Sequence, residues 1–307
     1  MTYDLDAYRS ISMNSDGRLL AAVQVQVSYA IFVGPAANPD QSRSISPGNF
    51  DGIGLRWMTD GTLLSQNVTS QFSILKPEGK ERVPMFQDDV YAGHFSVCRN
   101  DRSIVMMRQR FGEHSTIWRT DSTGRNAKQI TEGPADRAPN CSPDGKSVIY
   151  VSGSQESYRL MKIPVDGGRP ILLSDSGDLA GLQYSPDGLQ IADLEARKDG
   201  RVVLVTRDSQ TGKVSKTFAI ELFSRQVDFN SAGWNLQWTP DGRALTYTLE
   251  KNSTVNLWSQ PLSGAPPRQI THFPDSIVAY DWSPDGKQIA LTRMSDSRNV
   301  VLISNFH

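Results

Sequence analysis

The sequence predicts an all-β chain assembled from repeated four-stranded units, and three observations carry that reading. A four-residue turn signature recurs along the whole chain at nearly constant spacing. Each copy is followed by short β-rich runs separated by turn residues. No stretch of a dozen residues shows the 3.6-residue apolar period of an amphipathic helix.

The signature is Ser-Pro-Asp-Gly at 142–145, 185–188 and 283–286, with Thr239-Pro-Asp-Gly242 a near copy. Asn14-Ser-Asp-Gly17 and Met58-Thr-Asp-Gly61 are weaker copies, and Arg99-Asn-Asp-Arg102 is degenerate but in frame. The aspartates stand at 16, 60, 101, 144, 187, 241 and 285, at intervals of 44, 41, 43, 43, 54 and 44. Proline presets φ for the first central position of a type I turn, Asp suits the second, and Gly accepts the left-handed position that follows. That is a three-residue hairpin loop with a glycine bulge. These aspartates are therefore read as turn formers and not as catalytic acids. Arg102 stands where the third copy needs glycine, which predicts a strained or differently built hairpin there.

The elements of each unit follow in order. An apolar residue lies three positions before the Asp: Met13, Trp57, Cys98, Cys141, Tyr184, Trp238 and Trp282. After the turn come β-rich runs such as Val148-Ile-Tyr-Val151, Ala244-Leu-Thr-Tyr247 and Ile289-Ala-Leu-Thr292. A second run follows a polar loop: Thr116-Ile-Trp118, Leu160-Met-Lys-Ile163, Asn256-Leu-Trp258. Turns at Asp166-Gly-Gly168 and Ser263-Gly264 lead to a last short strand, as in Gln129-Ile-Thr131 and Gln269-Ile-Thr271. Four strands per unit and seven units specify a seven-bladed β-propeller of four-stranded antiparallel blades, one domain over residues 1–307. The apolar residues before the turns become core between blades. The ends bear on closure. Thr2 is in register with the ends of outer strands, and the seventh unit stops at its third strand, Asn299 to Phe306. The last blade is accordingly expected to be incomplete, with three strands and an exposed edge. The chain is then expected to be a fragment whose parent continues upstream.

Composition narrows the function classes. Lys+Arg number 32 and Asp+Glu 33, a net charge of -1, which gives no electrostatic reason to expect nucleic acid or an anionic membrane. Hydrophobic residues make up 38% of the chain and there are 24 glycines, enough for a sizeable core. The longest apolar runs, such as Leu19 to Val23, fall far short of the ~20 residues of a membrane-spanning helix. The opening Met1-Thr-Tyr-Asp-Leu-Asp6 does not read as a signal peptide.

A search for chemistry finds no catalytic motif. There is no Gly-x-Ser-x-Gly elbow, no His-Arg-Asp or Asp-Phe-Gly of a kinase, and Gly145-Lys-Ser147 lacks the first glycine of a phosphate loop. His94, His114, His272 and His307 show no His-x3-His spacing, so no metal and no cofactor is expected. Cys98 and Cys141 occupy equivalent positions in neighbouring units. A blade's width should exceed the ~5.5–6 Å Cα separation of a disulfide, and the two are read as buried small hydrophobes.

Function must then reside on the faces or the axis of the ring. Four positions before each Asp stand Ser12, Arg56, Val97, Asn140, Gln183, Gln237 and Asp281, polar in all but one case. Side chains alternate along a strand, so this set is expected to form a polar ring at the channel. Arg56, Asn140, Gln183, Gln237 and Asp281 are the candidate ligand-binding residues. The 54-residue interval carries an insertion at 221–230, in which Phe223, Arg225 and Phe229 are expected on a face loop suited to a partner protein. Phe111-Gly-Glu-His114 is a further loop between middle strands, read as a polar turn.

The repeat also resembles a known family. Trp282-Ser-Pro-Asp-Gly-Lys-Gln-Ile-Ala290, with Asn256-Leu-Trp258 and Gln269-Ile-Thr271, is similar to the WD40-like "PD40" repeat of TolB-type propellers. The resemblance is strong in units four to seven and weaker in units one to three. Asp281 to Arg293 and Asn299 to Phe306 resemble the tail of bacterial multidomain signalling proteins, with Asn299 in place of an Asp. Those proteins join a serine/threonine kinase or a winged-helix DNA-binding domain to a C-terminal TolB-like propeller. The resemblance implies a non-catalytic sensor or interaction module for a protein or small ligand, attached to an upstream effector domain, with no nucleic-acid contact and no membrane insertion of its own. It would lie outside the cytoplasm if the parent spans a membrane, and inside otherwise. The alternatives are a TolB-like envelope scaffold, or an enzyme such as a lyase or hydrolase working at the channel mouth.

Overall fold

A computed structural model describes residues 7–46, 53–67, 70–79, 82–86, 91–98, 103–153, 158–175, 179–223 and 236–304. Five four-stranded antiparallel sheets follow one another along the chain, and a further sheet of five strands joins its two ends. The first is Gly54–Trp57, Leu63–Gln66, Phe72–Leu75 and Arg82–Phe86; the second is Tyr91–Cys98, Ser103–Gln109, Thr116–Thr120 and Lys128–Gln129. The third is Asp136–Cys141, Ser147–Ser152, Arg159–Pro164 and Ile171–Ser174; the fourth is Leu179–Tyr184, Gln190–Ala196, Arg201–Asp208 and Val214–Phe223. The fifth is Leu236–Trp238, Ala244–Lys251, Thr254–Pro261 and Arg268–Gln269. The first strand of each sheet faces a central channel, so the sheets are blades. The described residues contain one helical turn, the 3-10 segment Pro39–Gln41.

The turn signature does what its residues dictate. In Ser142-Pro-Asp-Gly145 the Asp144 carboxylate accepts from Ser142 Oγ at 2.6 Å and from the Lys146 N–H at 3.1 Å, and Gly145 sits at φ 70°. The same pair of bonds forms at Asp187, Asp241 and Asp285. Those hydrogen bonds, led by the Ser or Thr hydroxyl, hold all four carboxyls below the usual range. At Gly286 a Cβ would also stand 2.9 Å from Pro240 of the preceding blade, so glycine is required there twice over.

The expectation of seven blades is not met among the described residues, because the first and last repeats share one sheet. Ser276–Trp282 is its innermost strand and Gln288–Ser304 its second. Leu19–Pro35 is the third, paired with Gln288–Ser304 without interruption from Leu19↔Ser304 to Pro35↔Gln288. Arg43–Ser44 pairs with one end of Leu19–Pro35 and Ala7–Met13 with the other. The last blade is thus not a three-stranded sheet. The first unit supplies its outer strands, and the ring is closed by antiparallel pairing of two 17-residue strands. The argument from Thr2 falls on residues 1–6, outside those described, as does the third turn at 99–102.

Core residues follow the same logic. Trp57, Cys98, Cys141, Tyr184, Trp238 and Trp282, three positions before the turn Asp, are all buried. Met13, their counterpart in the first unit, is 59% exposed because its strand lies on an outer edge. Cys98 and Cys141 form a disulfide, which corrects their reading as free hydrophobes. Innermost strands converge on the axis, and there the Cα atoms of equivalent residues in adjacent blades are only 5.3 Å apart. The bond ties the second blade to the third.

Candidate functional site

The six innermost strands run to one face of the ring, and there they enclose a cavity of about 130 Å3. Its rim is Pro143, Pro186, Pro240 and Pro284 from the turns, and the buried Trp57, Tyr184, Trp238 and Trp282 line it further in. Its floor is one residue from each innermost strand, in the order Arg56, Val97, Asn140, Gln183, Gln237 and Asp281. All five candidate ligand-binding residues therefore meet here, and all five are buried. Ser12 does not join them. It is exposed on the outer strand Ala7–Met13, since the first unit contributes no innermost strand.

A feature of the strands aims these side chains. The pairing register of the innermost strands shifts between Gly93 and Phe95, Arg137 and Asn140, Ala180 and Gln183, and Ile277 and Ala279. His94, Ala138 and Gly181 have φ of 37°, 52° and 64° at these shifts. Such bulges re-aim the residues that follow them. The repeat spacing marks the ring positions but carries no signal of the bulge.

The ring laces neighbouring blades together. Asp281 Oδ2 accepts from the Trp57 N–H at 2.7 Å, and Trp57 Nε1 donates to Asp281 O at 3.1 Å. Asn140 Oδ1 accepts from the Tyr184 N–H at 2.8 Å, while Asn140 Nδ2 donates to Gln183 Oε1 at 2.9 Å. Where the ring residue is Val97, the adjacent Ser96 Oγ accepts the equivalent bond from the Cys141 N–H at 3.2 Å. Arg56 Nη1 donates to Leu55 O at 2.9 Å. Burial lowers the Arg56 pKa, and the charge of Asp281 opposes that shift. Arg56 and Asp281 are thus two buried groups of opposite charge on the innermost strands of the first and closing blades. Arg56 and Gln183 also line a second, smaller cavity below, with His94, Phe95, Ala138, Pro139 and Leu182.

The remaining ring residue is different. Gln237 is 8% exposed and its Nε2 is enclosed without a hydrogen-bond partner among the described residues.

The other candidates lie elsewhere. Phe223 is the last residue of its outer strand, paired with Arg201. Arg225 and Phe229 fall outside the described residues, so the expected partner loop does too. Phe111 is fully exposed at the hairpin between the second and third strands of its blade. Among the described residues no group of three His, Cys, Asp or Glu could hold a metal ion, and no helix is long and apolar enough to cross a membrane.

Sequence reading missed one buried charge network. In the fourth blade, Arg207 Nε donates to Asp193 Oδ2 at 2.7 Å and its Nη2 to Glu195. Arg207 Nη1 also reaches Ser174 Oγ of the third blade at 3.2 Å. Burial raises the Asp193 pKa to about 6, with the Arg207 charge pulling the other way. Two acids, Asp193 and Glu195, on one face of the strand Gln190–Ala196 amid Ile, Ala and Leu are the signal that could mark it.

No family model matches the chain. It is 28% identical over 176 residues to dipeptidyl-peptidase 5 of Porphyromonas gingivalis, a match covering 50% of this chain and 25% of that protein. It is 26% identical over 144 residues to an uncharacterized protein of Agrobacterium fabrum, covering 43% of this chain and 46% of the other. The chain thus matches less than half the length of these curated relatives. Among solved structures, a protein assigned as TolB from Agrobacterium tumefaciens superposes with a TM-score of 0.69 at 17% identity, over 88% of this chain and 99% of that one. TolB from Acinetobacter baumannii gives 0.60 at 16% identity, over 86% and 63%. Oligogalacturonate lyase from Vibrio parahaemolyticus gives 0.59 at 10% identity, over 94% and 96%. At these identities the likeness is one of fold, and the fold is a TolB-like β-propeller.

Proposed function

We propose that the chain is a non-catalytic propeller module that binds a protein segment or a small ligand at the mouth of its channel. One observation carries this reading. Polar side chains from five separate innermost strands converge, buried, on a single cavity, and one of them, Gln237, keeps a hydrogen-bonding group unfilled. A buried carboxamide without a partner costs stability unless something completes it. A cavity with a few convergent polar groups is the usual form of a ligand site.

The wider context belongs to the same proposal. The C-terminal resemblance to bacterial signalling proteins favours a sensor or interaction part joined to an effector domain. The inter-blade disulfide favours an oxidising, extracytoplasmic compartment, which suits the envelope-scaffold alternative equally. The enzyme alternative draws on the lyase and peptidase among the similar proteins. At the mouth, however, the only floor carboxylate among the described residues is Asp281, and its Oδ2 is bound to the Trp57 N–H.

The test is selection of ligands from a random peptide library on the intact chain, followed by binding measurements on Gln237→Leu. At least a tenfold loss of affinity with an unchanged melting temperature supports the proposal. Selected ligands that bind Gln237→Leu as well as the parent refute the site. Turnover of dipeptide anilides or oligogalacturonate by the same preparation would refute the non-catalytic reading.

A further inference from the structure

Building on the channel-mouth reading, we infer that the mouth selects an uncharged carboxamide, the side chain of a Gln or Asn presented by an extended segment of a partner polypeptide. The inference starts from charge. The floor of the cavity holds one cation, Arg56, and one anion, Asp281, on adjacent innermost strands. Each is buried and each lies within the other's field. Among the described floor residues one cation is thus matched by one anion. A ligand that brings a further charge into this enclosure leaves one charge uncompensated after losing its water, which is costly.

Hydrogen-bonding capacity gives the rest. Asp281 Oδ2 and Asn140 Oδ1 are occupied by the Trp57 and Tyr184 N–H groups. Asn140 Nδ2 is occupied by Gln183 Oε1. Beside the two charged groups the floor offers amide. The Gln183 NH2 and both ends of the Gln237 carboxamide make no hydrogen bond among the described residues, and Gln237 Nε2 is enclosed. Gln183 and Gln237 are neighbours in the ring, on the innermost strands of the fourth and fifth blades. Together they offer donors and an acceptor, the complement of a carboxamide, which carries one acceptor oxygen and two N–H donors. A carboxylate would satisfy the donors but confront Gln237 Oε1 and Asp281 with like polarity. An ammonium would meet Gln237 Oε1 and Asp281 but confront the Arg56 charge and the N–H groups of Gln183 and Gln237 with like polarity.

The approach fits a polypeptide. The cavity, about 130 Å3, has room for one side chain of this size, and it opens past the turn prolines Pro143, Pro186, Pro240 and Pro284. Those prolines give an extended segment apolar surface to lie on while one residue points down.

The experiment uses the intact chain and four blocked tripeptides, acetyl-Gly-X-Gly-N-methylamide with X as Gln, Asn, Glu or Lys, followed by saturation-transfer NMR and calorimetry at pH 7. The Gln or Asn peptide should bind at least tenfold more tightly than the Glu and Lys peptides, with saturation strongest on the carboxamide-bearing side chain. Gln237→Leu should remove that preference while the melting temperature is retained. Because the peptide series on the unmodified protein already carries the comparison, a variant that fails to fold leaves it intact. Glu or Lys binding as tightly as Gln, in a manner lost in Gln237→Leu, overturns the carboxamide inference and leaves the channel-mouth reading standing. No binding of any peptide, together with library ligands indifferent to Gln237→Leu, overturns both.

Discussion

Replacing Cys98 and Cys141 with Ala measures what the inter-blade disulfide contributes. The bond closes a loop of sequence separation 43 between the innermost strands of the second and third blades. The chain-entropy relation, ΔS ≈ −2.1 − 1.5R ln n, gives roughly 13 cal/mol/K for that loop, or about 4 kcal/mol at 25 °C. For a chain of 307 residues, with unfolding entropy of about 2.1 cal/mol/K per residue, this corresponds to a melting temperature lower by roughly 6 °C. The assay is thermal unfolding followed by circular dichroism, with and without reductant. The parent should lose about this much on reduction. The double variant should melt near the reduced parent and ignore the reductant. A parent indifferent to reductant, or a double variant still destabilised by it, would refute the reasoning.

Three further outcomes follow from the buried and turn carboxylates. Arg207→Met strands Asp193 and Glu195 without their main partner and should cost about 3–5 kcal/mol in denaturant titration; adding Asp193→Leu and Glu195→Leu should recover most of it. Asp193 has a folded pKa of about 6, above its unfolded value of ~3.9, so its contribution to stability falls as pH rises between those values; Asp193→Asn should remove that slope. Asp144, Asp187, Asp241 and Asp285 have lowered folded pKa values, so their contribution is present above ~3.9 and lost as pH falls further; Ser142→Ala and Ser283→Ala should weaken this acid-limb dependence in pH-dependent melts.

What the sequence makes legible, and what it does not, divides along a physical line. The turn signature fixes both the hairpin and the distance back to the channel, so the positions of Arg56, Asn140, Gln183, Gln237 and Asp281 can be read without coordinates. Closure cannot be read in this way. Repeats count turns, whereas blades count sheets, and the first and last turns belong to one sheet here. Ser12 and Met13 stand outside the ring for that reason, since their strand pairs at an outer edge. The disulfide is not legible either, because repeat spacing gives the width of a blade and not the 5.3 Å approach at the axis, where the strands converge. The bulges at His94, Ala138 and Gly181 leave no compositional mark, because each shift is a matter of register between strands. The Arg207 network shows as two acids in an apolar strand, but its cation is identified only once Gln190–Ala196 is paired with Arg201–Asp208.

The central claim is that the mouth of the channel is where this propeller binds, and the side-chain amide resonances of its glutamines test it most directly. Gln237 and Gln183 line the mouth, whereas Gln269 lies in an outer strand with its Nε2 donating to Thr271 O at 2.7 Å. In a titration of the isotopically labelled chain with its tightest library-selected peptide, the Gln237 and Gln183 amide signals should shift and saturate together while that of Gln269 stays fixed. Saturable binding that moves outer-strand amides and leaves Gln237 and Gln183 in place would contradict it.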